Sequence, residues 1–472
     1  MPDPTIFIAG YDENNILSVF PNNESAGFTP CVSPPAVLKV FRTNKNPSSL
    51  EQSKYDVHNI IAFSVGMNHS TIVLSDGKAF GFGDDRHFAI GTEKAVLYSQ
   101  PEFIQIPILN KDNEVEYESS FLTAACGRAF TVYITKPSQP NSLPKVILCH
   151  EKTDNRYGVI IENIDTRPTA IFSGCENSVI IDENGDFYII TQRTINTHQA
   201  FKCHLSEKVI SAACCSRFLA VSTDQGHVFE CITSNAVRSL GFNNHSCPPS
   251  ALNLLQTDHD EEFDSGLFDL PKDYHFTEAL ELHDAKIIMV SGYQEHSIAV
   301  SIDGKIYGKG LNLWGQLGFE STNSRFFETY IEIPVQFTRK SRAKIIFASC
   351  GSSHTLLITK DRKLYACGRN EFGQLLEKLI NEDAQSKLVE TVIPPDVRFV
   401  WSGENSTMAI VGFEPPQLFP NNPIKNYASS LTIQRRPTIE EPELESKEDN
   451  SQIRRRFSLR LPSRPKFFSS KS

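Results

Sequence analysis

Three histidines in this chain recur within the same short phrase, and their type and spacing invite a chemical role. His69, His296 and His354 each stand three or four residues after a glycine, and each begins an apolar run. A histidine can exchange a proton near neutral pH, bind a metal or donate a hydrogen bond. Because the residue returns in one repeated phrase, we favour a hydrogen bond that ties each loop to a neighbouring unit over a single catalytic centre.

Motifs of known catalytic and metal centres are absent from the sequence. It contains no Gly-x-Ser-x-Gly elbow, no His-Glu-x-x-His and no Walker-type loop. Gly81-Phe-Gly83 and Gly308-Lys-Gly310 precede further strands rather than the helix that a phosphate cradle needs. The acidic run 258–264 lacks the alternating ligands and the glycine of a calcium loop. We therefore predict no covalent catalysis, no cofactor and no metal site.

The histidine phrase is part of a longer unit that repeats every 40 to 60 residues. Each unit has an apolar run, a Gly-x-x-His-like loop, a second apolar run, a turn and a third strand. We call the residue at the histidine place the anchor. The seven anchors are His69, Phe130, Asn177, Arg217, His296, His354 and Ser406. Short apolar runs separated by turns, without a sustained helical period, predict an all-β chain.

The ends of the repeat region each carry half a unit. Residues 5–17 resemble the second half of a unit, and the last anchor run, which ends at Val411, lacks a second half. An N-terminal strand that completes the last blade would leave no open edge. We predict a closed seven-bladed β-propeller over residues 1–413.

Within each unit, glycines mark the turns. Asp76-Gly77 and Asp303-Gly304 lie between apolar runs and predict two-residue hairpin turns in which both residues have positive φ. A trailer of the form Gly-x-Asn-x-x-Gly-x-x-Gly then provides permissive backbone where the chain passes to the next blade. The residues to which we assign this structural role are Gly66, Gly83, Gly292, Gly310, Asn312, Gly315, Gly318, Gly351, Gly368, Asn370 and Gly373.

Two segments depart from the repeat. An acidic insertion occupies about residues 240–283, and residues 414–472 have the composition of a disordered tail that is basic from residue 453. Ser458 follows the triplet Arg454-Arg455-Arg456, a pattern that basophilic kinases select. Ser458 is therefore a phosphorylation candidate; a purely solubilising tail and a nuclear import signal are the alternatives.

Charge and cysteine content limit the partners. The net charge is −10, but the 20 residues from 453 carry seven basic and no acidic side chains, so the rest of the chain carries −17. An acidic ring repels phosphate backbone, which leaves only weak nucleic-acid binding through the tail. Eleven cysteines without a Cys-x-x-Cys pair, and no apolar run of spanning length, predict a soluble protein in the cytoplasm, the nucleus or both. We also expect a monomer.

Gly-x-x-His, Asp-Gly-Lys and Gly-x-Asn-x-x-Gly-Gln-Leu-Gly together resemble the repeat of the regulator of chromosome condensation family. The resemblance is strongest around His69, His296 and His354 and extends over residues 1–413. The Trp-Asp and Gly-Gly signatures of WD and kelch propellers are missing. The resemblance implies a seven-bladed propeller and, in members that act on a small GTPase, docking through the anchor loops.

Mapped onto this chain, the resemblance implies a set of partner-binding residues on those loops. These are Asn68, His69, Glu176, Glu295, His296, His354 and Glu404. Two functions follow. The first is a non-catalytic propeller that binds a protein partner through its loops. The alternative is a guanine nucleotide exchange factor for a Ran-like or other small GTPase, in which Glu176, Glu295 and Glu404 compete for the P-loop lysine.

Overall fold

The computed structural model describes residues 5–11, 31–37, 60–139, 141–150, 156–232, 274–320, 325–335, 344–376 and 383–412. In this part of the chain there are seven four-stranded antiparallel sheets and one two-stranded hairpin. The predicted all-β, seven-bladed propeller is confirmed. The predicted tail, with Ser458, and residues 240–273 of the acidic insertion lie outside the described residues.

Blades 1 to 3 follow one another along the chain. Blade 1 consists of β3 (Ile60–Val65), β4 (His69–Leu74), β5 (Ala79–Asp84) and β6 (Leu97–Phe103). The hairpin β7 (Ile106–Leu109) and β8 (Val115–Glu118) comes next. Blade 2 consists of β9 (Phe121–Cys126), β10 (Phe130–Thr135), β11 (Val146–His150) and β12 (Val159–Ile160). Blade 3 consists of β13 (Pro168–Ser173), β14 (Ser178–Asp182), β15 (Phe187–Ile190) and β16 (Phe201–Cys203), with the helix α1 (Gln192–Thr197) before β16.

Blades 4 to 7 complete the ring. Blade 4 consists of β17 (Val209–Cys214), β18 (Phe218–Thr223), β19 (Val228–Ile232) and β20 (Thr277–Glu278), followed by a 3-10 turn (Leu280–Leu282). Blade 5 consists of β21 (Ile287–Gly292), β22 (His296–Ser301), β23 (Ile306–Leu311) and β24 (Phe326–Glu332). Blade 6 consists of β25 (Ile345–Cys350), β26 (His354–Thr359), β27 (Leu364–Arg369) and β28 (Ala384–Glu390). Blade 7 consists of β29 (Val397–Ser402), β30 (Ser406–Val411), β1 (Thr5–Tyr11) and β2 (Cys31–Val37).

The first strand of each blade lies innermost, and successive inner strands contact one another around the ring. The last of them, β29, contacts β3 of blade 1 and so closes the circle. Apolar clusters fill the spaces between neighbouring blades; the largest joins blades 5, 6 and 7. Neither α1 nor the 3-10 turn, the helices of the described part, is long and apolar enough to span a membrane.

The ring is closed by the N-terminal strand, as predicted. β1 pairs antiparallel with β30, in a register that runs from Thr5 opposite Val411 to Gly10 opposite Ser406. Ile6 and Ile8 of β1 are fully buried, in a cluster that also holds Phe63 of blade 1. The first residues of the repeat region therefore fasten its last blade to its first.

The hairpin turns differ from the prediction. Gly77 and Gly304 have positive φ, but Asp76 and Asp303 do not. In blade 1 the amide of Gly77 donates to the carbonyl of Leu74 at 2.9 Å, as in a three-residue loop with a type I turn and a glycine bulge. The prediction of two positive-φ residues was wrong because the loop is one residue longer than it assumed.

The closure predicts a large effect of a small change in β1. Ile8→Ala removes buried side-chain atoms from the junction between the ends of the chain, and we expect the free energy of unfolding to fall by about 2–5 kcal/mol. Urea unfolding followed by circular dichroism measures this difference. Ile232→Ala is the control, since Ile232 is 66% exposed, and we expect less than about 0.5 kcal/mol there. Equal effects of the two substitutions would contradict the closure.

Candidate functional site

The anchor residues stand where the second strand of each blade begins, so their loops gather at one end of the ring. His69 pairs with Gly83, and the equivalent pair in blade 4 is Phe218 with Ile232. The fourth anchor is therefore Phe218, and the prediction of Arg217 was wrong by one residue. In that loop Cys215 takes the place of the glycine, which is why the sequence pattern could not fix the position.

Blade 5 shows a similar shift. Gly292 pairs with Ser297 as Val65 pairs with Ser70 in blade 1. Gly292 thus lies one residue before the glycine place, which Tyr293 occupies. Its lack of a Cβ still matters, because a Cβ there would lie 2.6 Å from the Cys215 sulfur of blade 4.

Each anchor histidine is hydrogen-bonded to the next blade. The Nε2 atom of His296 lies 2.8 Å from Thr355 Oγ1, and that of His354 lies 3.0 Å from Thr407 Oγ1. His69 makes the same contact with Thr131, at 2.9 Å. These are the contacts that the structural interpretation of the histidines anticipates.

Two of the threonines fix the position of the proton on His296 and on His354. Thr355 Oγ1 donates its proton to the Gln316 carbonyl at 2.8 Å, and Thr407 donates to the Gln374 carbonyl at 2.7 Å. Each hydroxyl has one proton, so it must accept from the histidine, whose Nε2 therefore carries the hydrogen. Each threonine thereby joins two parts of the preceding blade: its anchor and its trailer.

Burial keeps these histidines neutral. It lowers the pKa of His69 to about 4 and those of His296 and His354 to about 3. Their side chains are at most 1% exposed. A docked protein could not touch them without opening the ring.

The predicted acidic residues are also engaged inside the ring. Glu295 forms an ion pair with Arg217, whose Nε lies 2.8 Å from Glu295 Oε2. Glu404 Oε1 lies 3.9 Å from Arg128 Nε. Burial raises the pKa of Glu295 and of Glu176, and the Arg217 charge acts against this rise in both. The two arginines, which the sequence analysis did not select as site residues, balance two of the three predicted carboxylates.

Backbone hydrogen bonds join the anchor loops across the blades. The amide of Met67 donates to the carbonyl of Arg128, and the amide of Arg128 donates to that of Cys175. Cys175 in turn donates to Tyr293 of blade 5 at 2.9 Å. Asn68, the remaining predicted partner residue, is half-buried, and its carbonyl accepts from the amide of Asp84. The loops thus form one connected layer over the inner strands.

Gly351 shows why the phrase needs its glycine. A Cβ there would lie 2.5 Å from the carbonyl oxygen of Gly403 in the next loop. Gly66 meets the carbonyl of Gly127 at 2.3 Å in the same way. Apart from Gly292, the other predicted structural glycines have positive φ: Gly83, Gly310, Gly315, Gly318, Gly368 and Gly373.

The trailer asparagines fold their own loops. Oδ1 of Asn312 accepts from the amide of Leu317 at 2.9 Å, and Oδ1 of Asn370 accepts from Leu375 at 3.1 Å. In blade 1 the same task falls to Asp85, whose Oδ1 accepts from Ile90 at 2.8 Å. The sequence analysis missed Asp85 because a carboxylate replaces the amide.

Arg156 completes this blade 1 loop from blade 2. Its Nη2 lies 3.2 Å from Asp85 Oδ2 and also donates to the Thr92 carbonyl at 2.7 Å. The guanidinium carbon lies 5.1 Å from the centre of the Phe88 ring. The only sequence signal for this contact was a lone arginine some 70 residues away, so pattern reasoning could not find it.

The inner strands enclose a mostly apolar cavity under the anchor loops. Phe172, Phe347, Phe399 and Trp401 are among its lining residues. Serine hydroxyls and the Cys350 thiol also line it. The contacts described above make this end of the ring a set of structural clamps.

Exposed apolar side chains concentrate elsewhere. Ten large apolar side chains of the described residues are exposed, and six of them fall within the stretch 96–117: Val96, Leu97, Phe103, Leu109, Val115 and Tyr117. Tyr117 donates a hydrogen bond from its hydroxyl to Glu93, which brings the hairpin β7–β8 against the loop before β6. We call this surface the blade 1 edge. Among the described strands, β8 pairs with β7 alone.

Residues 303–358 and 345–374 match the Regulator of chromosome condensation (RCC1) repeat. The Ultraviolet-B receptor UVR8 of Arabidopsis thaliana is 23% identical over 355 residues, which are 70% of this chain and 69% of the receptor. The probable E3 ubiquitin-protein ligase HERC3 of Homo sapiens is 28% identical over 130 residues, or 28% of this chain and 12% of the ligase. The chain thus spans a small part of the ligase.

A solved structure supports the same fold. Prp20p from Saccharomyces cerevisiae superimposes with a TM-score of 0.60 at 13% identity, over 92% of this chain and 96% of that one. At this identity the likeness concerns the fold alone. Together with the two repeat matches and the ring-length match to the plant receptor, it agrees with the seven blades described above.

The buried histidines predict a pH-dependent stability. Below pH 6.5 the unfolded chain binds protons that the folded chain does not, so the free energy of unfolding falls on acidification towards the folded pKa values of about 3 to 4. Each histidine contributes about 2 kcal/mol between pH 7 and pH 5. We expect His354→Gln to reduce the pH dependence of the free energy of unfolding by the contribution of one bound proton. Urea unfolding at several pH values measures this dependence.

Ile232→Ala is the control for this measurement, because Ile232 is 66% exposed and its replacement removes no titratable group. We expect it to leave the pH dependence unchanged. If His354→Gln has the wild-type pH dependence, the imidazole is not held neutral in the folded ring.

Proposed function

We propose that this chain, a divergent member of the regulator of chromosome condensation repeat family, is a non-catalytic propeller that binds a protein partner. The observation that carries this proposal is the contrast between the two surfaces. At the anchor loops, Glu295 and Glu404 face arginines of the ring itself. At the blade 1 edge, apolar side chains such as Leu97 and Val115 are exposed.

An exposed apolar patch on a water-soluble ring favours association with a protein. Leu97, Val115 and Tyr117 are 45%, 44% and 50% exposed, so a partner could bury much of each side chain. Burial of apolar surface stabilises a complex by roughly 25 cal/mol per Å² before the costs of association. The hairpin and loops of this edge are the kind of element that varies on a rigid scaffold.

The charges around the patch indicate the partner's chemistry. Four acidic residues and two lysines are exposed in the same stretch, so its net charge is acidic: Glu93, Asp112, Glu114 and Glu116 against Lys94 and Lys111. An acidic rim favours a partner that presents apolar side chains framed by lysine or arginine. We propose such a partner, and we propose that the protein acts in the cytoplasm or the nucleus. Nine cysteines of the described residues, from Cys126 to Cys367, are free thiols, which suits a reducing compartment.

Exchange of guanine nucleotide on a small GTPase is the second candidate. The convergence of the anchor loops, with three carboxylates in one layer, is the observation in its favour. The Prp20p structure was described together with the binding of that protein to Gsp1p and histones. For this chain the mechanism would require Glu295 or Glu404 to leave its arginine for a lysine of the GTPase.

Substitutions at the blade 1 edge test the first function. We expect the double variant Leu97→Glu, Val115→Glu to lose at least about 90% of a bound partner, because each change places a charge in the apolar contact. Quantitative cross-linking and affinity capture with the full chain measure this loss. The control is Ile232→Glu, Leu280→Glu, whose sites in blade 4 are 66% and 74% exposed.

Both variants should unfold at wild-type temperature, since all four side chains lie at the surface. A partner that the blade 1 variant retains, or that the blade 4 variant loses equally, would place the contact elsewhere and contradict the proposed edge.

Release of labelled GDP from a panel of small GTPases separates the two candidates. Since Glu295 and Glu404 are already paired within the ring, we expect no acceleration by the full chain. Acceleration on one GTPase that is lost in Glu295→Gln or Glu404→Gln, but kept in Glu93→Gln, would establish exchange and overturn this expectation.

A further inference from the structure

Two imidazoles and two carboxylates meet on the outer part of blade 4. His227, Glu278 and His283 each place a potential ligand atom within 4.8 Å of the others. Glu207 joins them through its hydrogen bond to His227. None of these residues belongs to the anchor loops or to the blade 1 edge.

The four residues come from separate stretches of the blade. Glu207 precedes β17, His227 follows the turn between β18 and β19, Glu278 is in β20 and His283 follows the 3-10 turn. β20 pairs with β19 through Glu278 opposite Phe229 and Thr277 opposite Glu230. Pairing thus brings together residues that lie far apart along the chain.

One carboxylate orients His227, and the other faces His283. His227 Nδ1 lies 2.8 Å from Glu207 Oε1, and His283 Nδ1 lies 2.5 Å from Glu278 Oε1. Glu207 accepts from His227 Nδ1, so the neutral His227 ring keeps a lone pair on Nε2. Glu278 accepts from His283 Nδ1, and a cation bound by these two atoms would replace that hydrogen. Glu207 also accepts from the Thr223 hydroxyl, which holds it in place. A histidine fixed by an outer carboxylate is the usual arrangement around zinc.

We propose that His227, Glu278 and His283 bind a divalent cation of the zinc class, with Glu207 as the outer carboxylate that orients His227. Two imidazoles and one carboxylate are ligands that zinc prefers, whereas calcium and magnesium take oxygen ligands. Three protein ligands leave one position of a tetrahedral zinc ion for water.

The present geometry needs one adjustment for binding. The two rings stack at 5.0 Å between centres with 5° between their planes, so their lone pairs do not converge. His283, 55% exposed, can turn towards the cation, whereas His227 is 19% exposed.

The bound cation would fasten the outer strand of its blade. β20 has two residues, and two residue pairs attach it to β19. A cation shared by His227, Glu278 and His283 ties β20 and the turn after it to the β18–β19 turn. Ligand binding to the folded state alone raises the unfolding temperature.

Zinc titration of the metal-free full chain tests the site. Calorimetry at pH 7.5 with Zn²⁺ should find one bound equivalent in the wild type that is lost in His227→Ala and in His283→Ala. Glu207→Gln should weaken the same equivalent about tenfold, the usual effect of losing an outer carboxylate. Co²⁺ should give the visible absorption of a tetrahedral site in the wild type only.

His204→Ala is the matched control, because His204 Nδ1 pairs with Asp186 Oδ1 at 2.5 Å with no second imidazole in the described contacts. It should keep the zinc equivalent. Since the exposed His283 can be removed without disturbing the core, His283→Ala decides the result if His227→Ala fails to fold. An unchanged stoichiometry in His283→Ala, or a loss in His204→Ala as well, would overturn the proposal.

Discussion

A buried imidazole N–H needs an acceptor, and in this ring the acceptor comes from the next blade. His296 reaches Thr355, and Thr355 returns its own proton to the Gln316 carbonyl of the blade from which the histidine came. An unpaired buried donor costs about 1–3 kcal/mol, so a shift of either blade is opposed by two bonds at once. The spacing between blades therefore depends on this pair of hydrogen bonds. The glycine before the histidine allows the neighbouring loops to approach closely enough to form them.

Blades 2 and 4, which lack the histidine, use apolar packing and ion pairs in place of its hydrogen bond. Phe130 and Phe218 fill the anchor place with apolar rings, while Arg128 and Arg217 carry charge to the acids of blades 7 and 5. A buried pair gains little over apolar packing, but the loss of one partner is costly because the other charge remains. The acids of the anchor loops thus belong to the ring's own electrostatics, which moves the search for a partner surface to the outer edges.

Sequence reasoning succeeded where the signal is local. The period, the glycine turns and the half units at each end predict seven blades and the closure of β30 by β1, because strand pairs and turns are determined within a few residues. It failed by one residue at Phe218 and Gly292, because strand register rather than the local sequence pattern determines the position. It could not find the contact of Arg156 with Asp85, since nothing in either stretch encodes a neighbour 71 residues away.

The two additions to the plain repeat lie at its periphery for a physical reason. The inner layer contains clamps such as that of His296, Thr355 and the Gln316 carbonyl, so a new group there would break one of these hydrogen bonds. The outer strands are not constrained by these hydrogen bonds. Blade 1 adds the hairpin β7–β8 with exposed apolar side chains, and blade 4 gathers His227 and His283 beside β20. Both proposed sites, for a protein partner and for a divalent cation, therefore lie at the rim, away from the hydrogen bonds that join the anchor loops.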